Sequence, residues 1–150
     1  MTTISDAAIA IAATLARRFE GCELAAYQNA HDVPTIGYGH TAFVRLGDTC
    51  TQDQADAWLL SDLQEAAFGV RDAVTQPLSD NQAGALIDFT FNLGAMNLDS
   101  STLLRELDAG NYADVPAQMM RWVHDAGGGV LPGLVARRQA EADLWNTLDA

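Results

Sequence analysis

From the first residues onward the large apolar positions are spaced for a helix. Ile4, Ile11, Leu15 and Phe19 fall near one face, with alanines between them. The spacing predicts a helix from about Asp6 to Phe19, capped by Ser5 or Asp6 and turned out of register by Gly21. Two short β-like runs follow, roughly Ala25–Gln28 and Val33–Tyr38. Pro34 cannot donate to a ladder, so its strand is expected at an edge or irregular. Gly37 and Gly39 permit tight bends or close approach of backbone to a ligand. Residues 45–50 read as loop.

Thr51-Gln52-Asp53-Gln54 is a capping box that opens a long helix to about Val74, with Leu59, Leu63, Ala66, Val70 and Val74 inward. A helix of about 24 residues is some 36 Å long. A second capping box, Ser79-Asp80-Asn81-Gln82, opens a helix that carries Ala83, Leu86, Ile87 and Phe91 and stops near Gly94. Further helices are expected over 100–109, closed by Gly110, and from Asp114 to about His124, with Met119, Trp122 and Val123. Gly127-Gly128-Gly129 reads as a flexible loop, and Pro132 opens a last helix through Leu134, Arg138, Leu144, Trp145 and Leu148. A hairpin followed by helices is an α+β arrangement, mainly α.

Composition narrows the partners. The chain has 150 residues, with Lys plus Arg 8 against Asp plus Glu 20, for a formal charge of −12. A chain so acidic has no basic patch to neutralise phosphates, which excludes nucleic acid, and no attraction to anionic lipid. The apolar run from Ala7 to Ala16 is far short of the roughly 20 residues that span a bilayer. It lacks a basic leader, so it reads as the buried face of helix one and not as a signal peptide. Cys22 and Cys50 are too few for a disulfide framework and would be free thiols in a reducing cytosol, their pairing left open. His31, His40 and His124 are too scattered to argue a metal site.

The chemistry concentrates between Glu20 and Thr41, EGCELAAYQNAHDVPTIGYGHT. Glu20 stands at the C-terminal end of helix one, where the helix dipole disfavours an anion and favours the protonated acid. A polar turn, Asn29-Ala30-His31-Asp32, and the bend Gly37-Tyr38-Gly39-His40 follow it. A carboxylate at a helix end facing a small polar hairpin suits acid chemistry on a sugar bond.

Glu20-Gly21, Ala26-Tyr27 and Thr35-Ile36-Gly37-Tyr38-Gly39-His40-Thr41 resemble the active-site segment of the phage-type lysozymes, the endolysin family. Asn81–Phe89, Phe91–Gly94, Ser101–Leu104 and Leu131–Glu141 resemble its later segments, so the resemblance covers nearly the whole chain. It implies a lysozyme-like single domain over 1–150. A small N-terminal β-hairpin lobe of about 12–60 would be joined by the long helix to a helical lobe of about 75–150 that also takes in helix one. It further implies cleavage of the β-1,4 bond between N-acetylmuramic acid and N-acetylglucosamine in bacterial peptidoglycan, with no cofactor. A monomer is expected to gather in the host cytoplasm until a holin opens the way to the wall.

The family pattern is Glu, eight residues, Asp or Cys, five residues, Thr; here it falls on Glu20, Asn29 and Thr35. Glu20 is implied as general acid and Thr35 as a holder of the attacking water. Asp32, Tyr38, Gly39 and His40 are candidates for the sugar-binding wall, although His40 reads first as a bonded structural histidine. Arg137 and Arg138 are either solvated charges, Arg137 at i,i+4 from Glu141, or one of them reaches the lobe junction and holds the carboxylate. Asn29 departs from the pattern, because an amide cannot take up a proton at neutral pH. Asp32 could supply the charge, hydrolysis could run weakly on Glu20 and Thr35 alone, or the protein could bind sugar without cleaving it. A lytic transglycosylase, which needs one acid and no base, is the alternative reaction.

Overall fold

The computed structural model describes residues 2–149 and matches the expected class, mainly helical with one two-stranded antiparallel sheet. Helix α1 spans Asp6–Glu20, with Ser5 Oγ accepting from the Ala8 amide at 3.1 Å. Its fully buried stripe is not the large residues expected but Ala8, Ala12 and Ala16. The reason lies in its partner: a Cβ on Gly84 would stand 2.6 Å from Ile11 Cγ2. Two helices that approach this closely have room only for small side chains in the seam.

Strands β1 (Glu23–Gln28) and β2 (Pro34–Gly37) pair with Tyr27 opposite Thr35 and Gln28 opposite Pro34. Pro34 opens its strand, where a missing N–H breaks no ladder. Residues 45–50, expected as loop, add a bridge to the free side of β1. Ala25 pairs with Thr49, the Ala26 amide bonds to Asp48 O, and the Cys50 amide bonds to Leu24 O.

Helix α2 (Gln52–Ala73) starts on the capping box, Thr51 and Gln54 satisfying each other's amides. Its first turns pack on the bend after β2, where Gly37 sits against Ala55, and its later turns enter the helical core through Leu59, Leu63, Ala67 and Val70. Helix α3 (Asp80–Leu93), opened by the Ser79–Gln82 box, is buried on all sides from Ala83 to Thr90 because α1, α2 and α7 surround it. A short α4 (Ala95–Asp99) that the pattern did not reveal precedes α5 (Thr102–Asp108), whose cap is Ser101.

The helix expected from Asp114 to about His124 is broken. A 3₁₀ turn, Tyr112–Asp114, leads into α6 (Val115–Met119), and the chain then tightens with Arg121 N bonding to Gln118 O. That turn sets Trp122 edge-on against Phe89, ring centroids 5.8 Å apart. Residues 127–129 are not a free loop: His124 bridges to Val130, and Asp125 accepts from the Gly129 amide at 2.8 Å. Helix α7 (Pro132–Trp145) closes the core, and Leu148, expected within it, lies beyond it and exposed.

Candidate active site

Glu20 is the last residue of α1, and Gly21 turns the chain away at φ 64°. Its Oε1 accepts from Arg137 Nη1 at 3.0 Å. Arg137 is buried and lies between the rings of Phe19 and Phe91, at 5.7 and 5.9 Å from their centroids. Behind it, Asp88 takes two bonds from the same guanidinium, from Nε at 2.9 Å and from Nη2 at 2.7 Å. Burial works against the charge of Arg137, but the bonds to Asp88 and then Glu20 outweigh it and push its pKa up, so it stays a cation. Arg138 turns inward to Glu141 and Asn92. The i,i+4 pairing of Arg137 with Glu141 does not form; the pairs are Arg137 with Glu20 and Asp88, and Arg138 with Glu141.

The hairpin turn is held by Asn29. Its Oδ1 accepts from the His31 amide at 2.8 Å and from the Val33 amide at 3.1 Å. The side-chain oxygen is therefore spent on the backbone, and the NH₂ end has no protein partner among the described residues. Asp32 stands exposed at the tip with φ 59°, a conformation Asp tolerates better than most residues. Thr35 is buried on β2; its hydroxyl donates to Val33 O at 2.9 Å, which leaves the oxygen's lone pairs open to another donor.

The bend brings backbone to the acid. A Cβ built on Gly39, at φ 72°, would lie 2.9 Å from Glu20 Oε2. His40 is buried, stacked parallel on Trp58 at 4.8 Å, with Nδ1 2.7 Å from Asp62 Oδ2. These side-chain contacts pin the bend to α2, and paired backbone bonds between Ile36 and His40 close the bend on itself. Tyr38 accepts from Gln52 Nε2 at 3.1 Å. Beyond Gly39 opens a cleft of about 400 Å³, lined by Thr41 and Ala42, by Asp62 and Glu65 of α2, and by Thr90 and Phe91 of α3. A larger groove of about 590 Å³ between α1 and α2 includes neither Glu20 nor any residue of the hairpin.

Three residues take parts that the sequence did not assign to them. Tyr27 stands near enough to Glu20 that its pKa is raised, first by partial burial and then by the charges of Glu20 and Glu23. Asp88 and Glu141 are both fully buried. A lone carboxylate inside the apolar run from Ala83 to Phe91 was the one available signal, since such a charge survives burial only with a partner.

A family model for phage lysozyme matches residues 17–141. An endolysin of Acyrthosiphon pisum secondary endosymbiont phage 1 is 38% identical over 136 residues, spanning 89% of this chain and 93% of that protein. The muramidase domain of SpmX from Asticaccaulis excentricus superposes with a TM-score of 0.86 at 34% identity, covering 99% of this chain and 100% of that one. P22 lysozyme superposes with a TM-score of 0.80 at 32% identity, covering 98% and 100%.

Proposed function

The chain belongs to the phage lysozyme family, and on that premise we propose that it cleaves the β-1,4 bond between N-acetylmuramic acid and N-acetylglucosamine, with Glu20 as proton donor. It is a lysozyme-type glycosidase, a peptidoglycan-degrading endolysin. The observation that carries the assignment of Glu20 is its setting. One carboxylate oxygen is held by a buried arginine, the other faces the glycine backbone at the mouth of the cleft. An acid so fixed meets a glycosidic oxygen in one orientation, which is what proton transfer at bond breakage requires.

In this reading the sugar chain lies along the cleft beside Gly39, walled by Thr41, Asp62, Glu65, Thr90 and Phe91. Buried His40 supports the bend from behind, and Tyr38 and Asp32 stand outside the cleft lining. The attacking water sits on the far side of the bond, donating to the Thr35 oxygen and accepting from the Asn29 NH₂. Neither group takes a proton at neutral pH. Water is positioned but not activated by a base, and hydrolysis is expected to be slow relative to a chain with a carboxylate there. The enzyme acts as a monomer, needs no cofactor, and gathers in the host cytoplasm until a holin opens the membrane.

The test is digestion of purified peptidoglycan followed by mass spectrometry. Glu20→Gln removes only the proton, so it is expected to lower the rate by about 10²–10⁴-fold with the fold intact. New reducing ends support the hydrolase. Anhydro-muramic ends would replace it with a transglycosylase. Sedimentation with the wall and no cleavage by the unmodified protein would leave a binding protein in its place.

A further inference from the structure

Beneath Glu20 lies a cluster with one carboxyl more than it has guanidiniums: Glu20, Asp88 and Glu141 against Arg137 and Arg138. The sharing is uneven. Asp88 is fully buried and grips Arg137 through both Nε and Nη2, whereas Glu20 is partly exposed and holds it through Nη1 alone. A two-point bond to a buried carboxylate is the stronger and more directional of the two. We propose that Asp88 is a positioning residue that sets the proton-donating power of Glu20 by occupying most of the charge of Arg137.

The geometry gives Asp88 two effects. It fixes the plane of the guanidinium, so that an Nη1 donor points at Glu20 Oε1. It also neutralises that guanidinium in a dry setting, so that Glu20 feels less of it than it would feel from an unshared arginine. Glu141 completes the balance. Burial, and then its contact with Asp88, raise its pKa well above the usual range against the pull of Arg138. A proton held on Glu141 would leave two carboxylates facing two guanidiniums.

No other charge near Glu20 among the described residues does this work. Arg17 and Arg18, in the last turn of its own helix, lie over the rings of Tyr38 and Phe19. β1 contributes Tyr27 and the like charge of Glu23. The bend contributes the backbone of Gly39, its His40 being turned to Asp62 on α2. From α3 and α7 come Asp88 and Arg137 themselves.

The inference rests on Glu20 being the proton donor, and its test separates the two. Asp88→Asn keeps the shape and one acceptor but withdraws the charge. Arg137 then acts on Glu20 alone and favours its anion, and an anion cannot donate. The alkaline limb of the pH–rate profile on purified peptidoglycan is expected to move to lower pH by about one unit or more. Carbon-13 titration of the labelled Glu20 carboxyl is expected to move the same way, which gives a readout even where turnover is slow. If Glu20→Gln abolishes cleavage but Asp88→Asn moves neither the limb nor the titration, the inference is wrong and the assignment of Glu20 stands. If Glu20→Gln cleaves normally, the assignment itself fails. Spectra of the unmodified protein serve should the variant not fold: Asp88 protonated at neutral pH would overturn the proposal by themselves.

Discussion

Gly39 and Glu20 touch: there is no room for a β-carbon between the bend after β2 and the carboxylate that ends α1. Gly39 also sits at φ 72°, where an L side chain is strained by about 1–2 kcal/mol. Gly39→Ala must therefore displace either the bend or Glu20. His40 holds the bend on α2 through Trp58 and Asp62, so the acid is the part that yields. A displacement of about 1 Å at a reacting group can cost on the order of 100-fold in rate. Peptidoglycan digestion is expected to fall by that order while circular dichroism stays unchanged. A variant with full activity would show that the contact does not position Glu20.

The seam between α1 and α3 makes a prediction about stability alone. At Gly84 a methyl group would meet Ile11 Cγ2 at 2.6 Å and the Ala8 carbonyl at 3.3 Å. Alanine gains about 1 kcal/mol over glycine inside a helix. Overpacking a tight seam costs about 1–3 kcal/mol. The rigid carbonyl on one side and β-branched Ile11 on the other leave little relief, so Gly84→Ala is expected to lower the urea midpoint, with activity per folded molecule preserved. An unchanged or higher midpoint would mean that the helices separate without penalty.

What could be read from the chain was what is local. Both capping boxes lie within four residues of sequence and formed as written. The inward line of α2 follows from spacing alone, and its five named residues are buried. What could not be read depends on distant partners. The alanine stripe of α1 is set by Gly84, and the break after Met119 by the seat of Trp122 on Phe89. The segment after Asp32 and the end of α1 were legible as elements, but the pairing of Glu20 with an arginine was legible only as one of two readings, and not which of Arg137 and Arg138 makes it. Glu20 meets Arg137 across 117 positions, and Asp88 meets it across 49. Only the fold distinguishes such a buried arginine from its solvated alternative.

Glu141 gives the stability a pH dependence. Its pKa is raised in the fold by burial and by Asp88, so between the ordinary unfolded value near about 4.3 and the folded value the native state holds the extra proton. Its contribution is therefore fully present below the unfolded value and is lost as pH rises through the folded one. Glu141→Gln imitates the protonated acid at every pH. The difference in Tm between variant and unmodified protein is expected to shift in favour of the variant as pH is raised from about 4 to 8. A difference that stays flat would mean that Glu141 is ionised throughout.

Access to the wall can be checked in cells. No helix among the described residues is long and apolar enough to cross a membrane. If the protein waits in the cytoplasm for a holin, its expression alone leaves a bacterial culture intact, and chloroform or a co-expressed holin brings about lysis. Prompt lysis on expression alone would overturn that order of events.

The turn at Asn29 decides how the missing base is to be tested. Its Oδ1 carries the His31 and Val33 amides, so the hairpin needs one oxygen at this position and makes no demand on the other end of the side chain. Asn29→Asp keeps that oxygen and replaces the NH₂ with a second, at almost the same volume. The turn is thus expected to survive, and the new oxygen, unlike the amide nitrogen, can accept a proton from water held at Thr35. Peptidoglycan hydrolysis is expected to rise by at least about tenfold, equal to about 1.4 kcal/mol of transition-state stabilisation. Asn29→Ala serves as the control, since it removes the oxygen the turn relies on and should lower stability without any gain in rate. The size of the effect separates the explanations. A large gain over a nearly silent parent identifies Asn29 as the block. A small gain, with activity lost in Asp32→Asn, identifies the exposed Asp32 at the tip as the group already acting as base. No gain at all, with anhydro-muramic ends in the digest, would mean that no water is activated and that the sugar's own hydroxyl attacks.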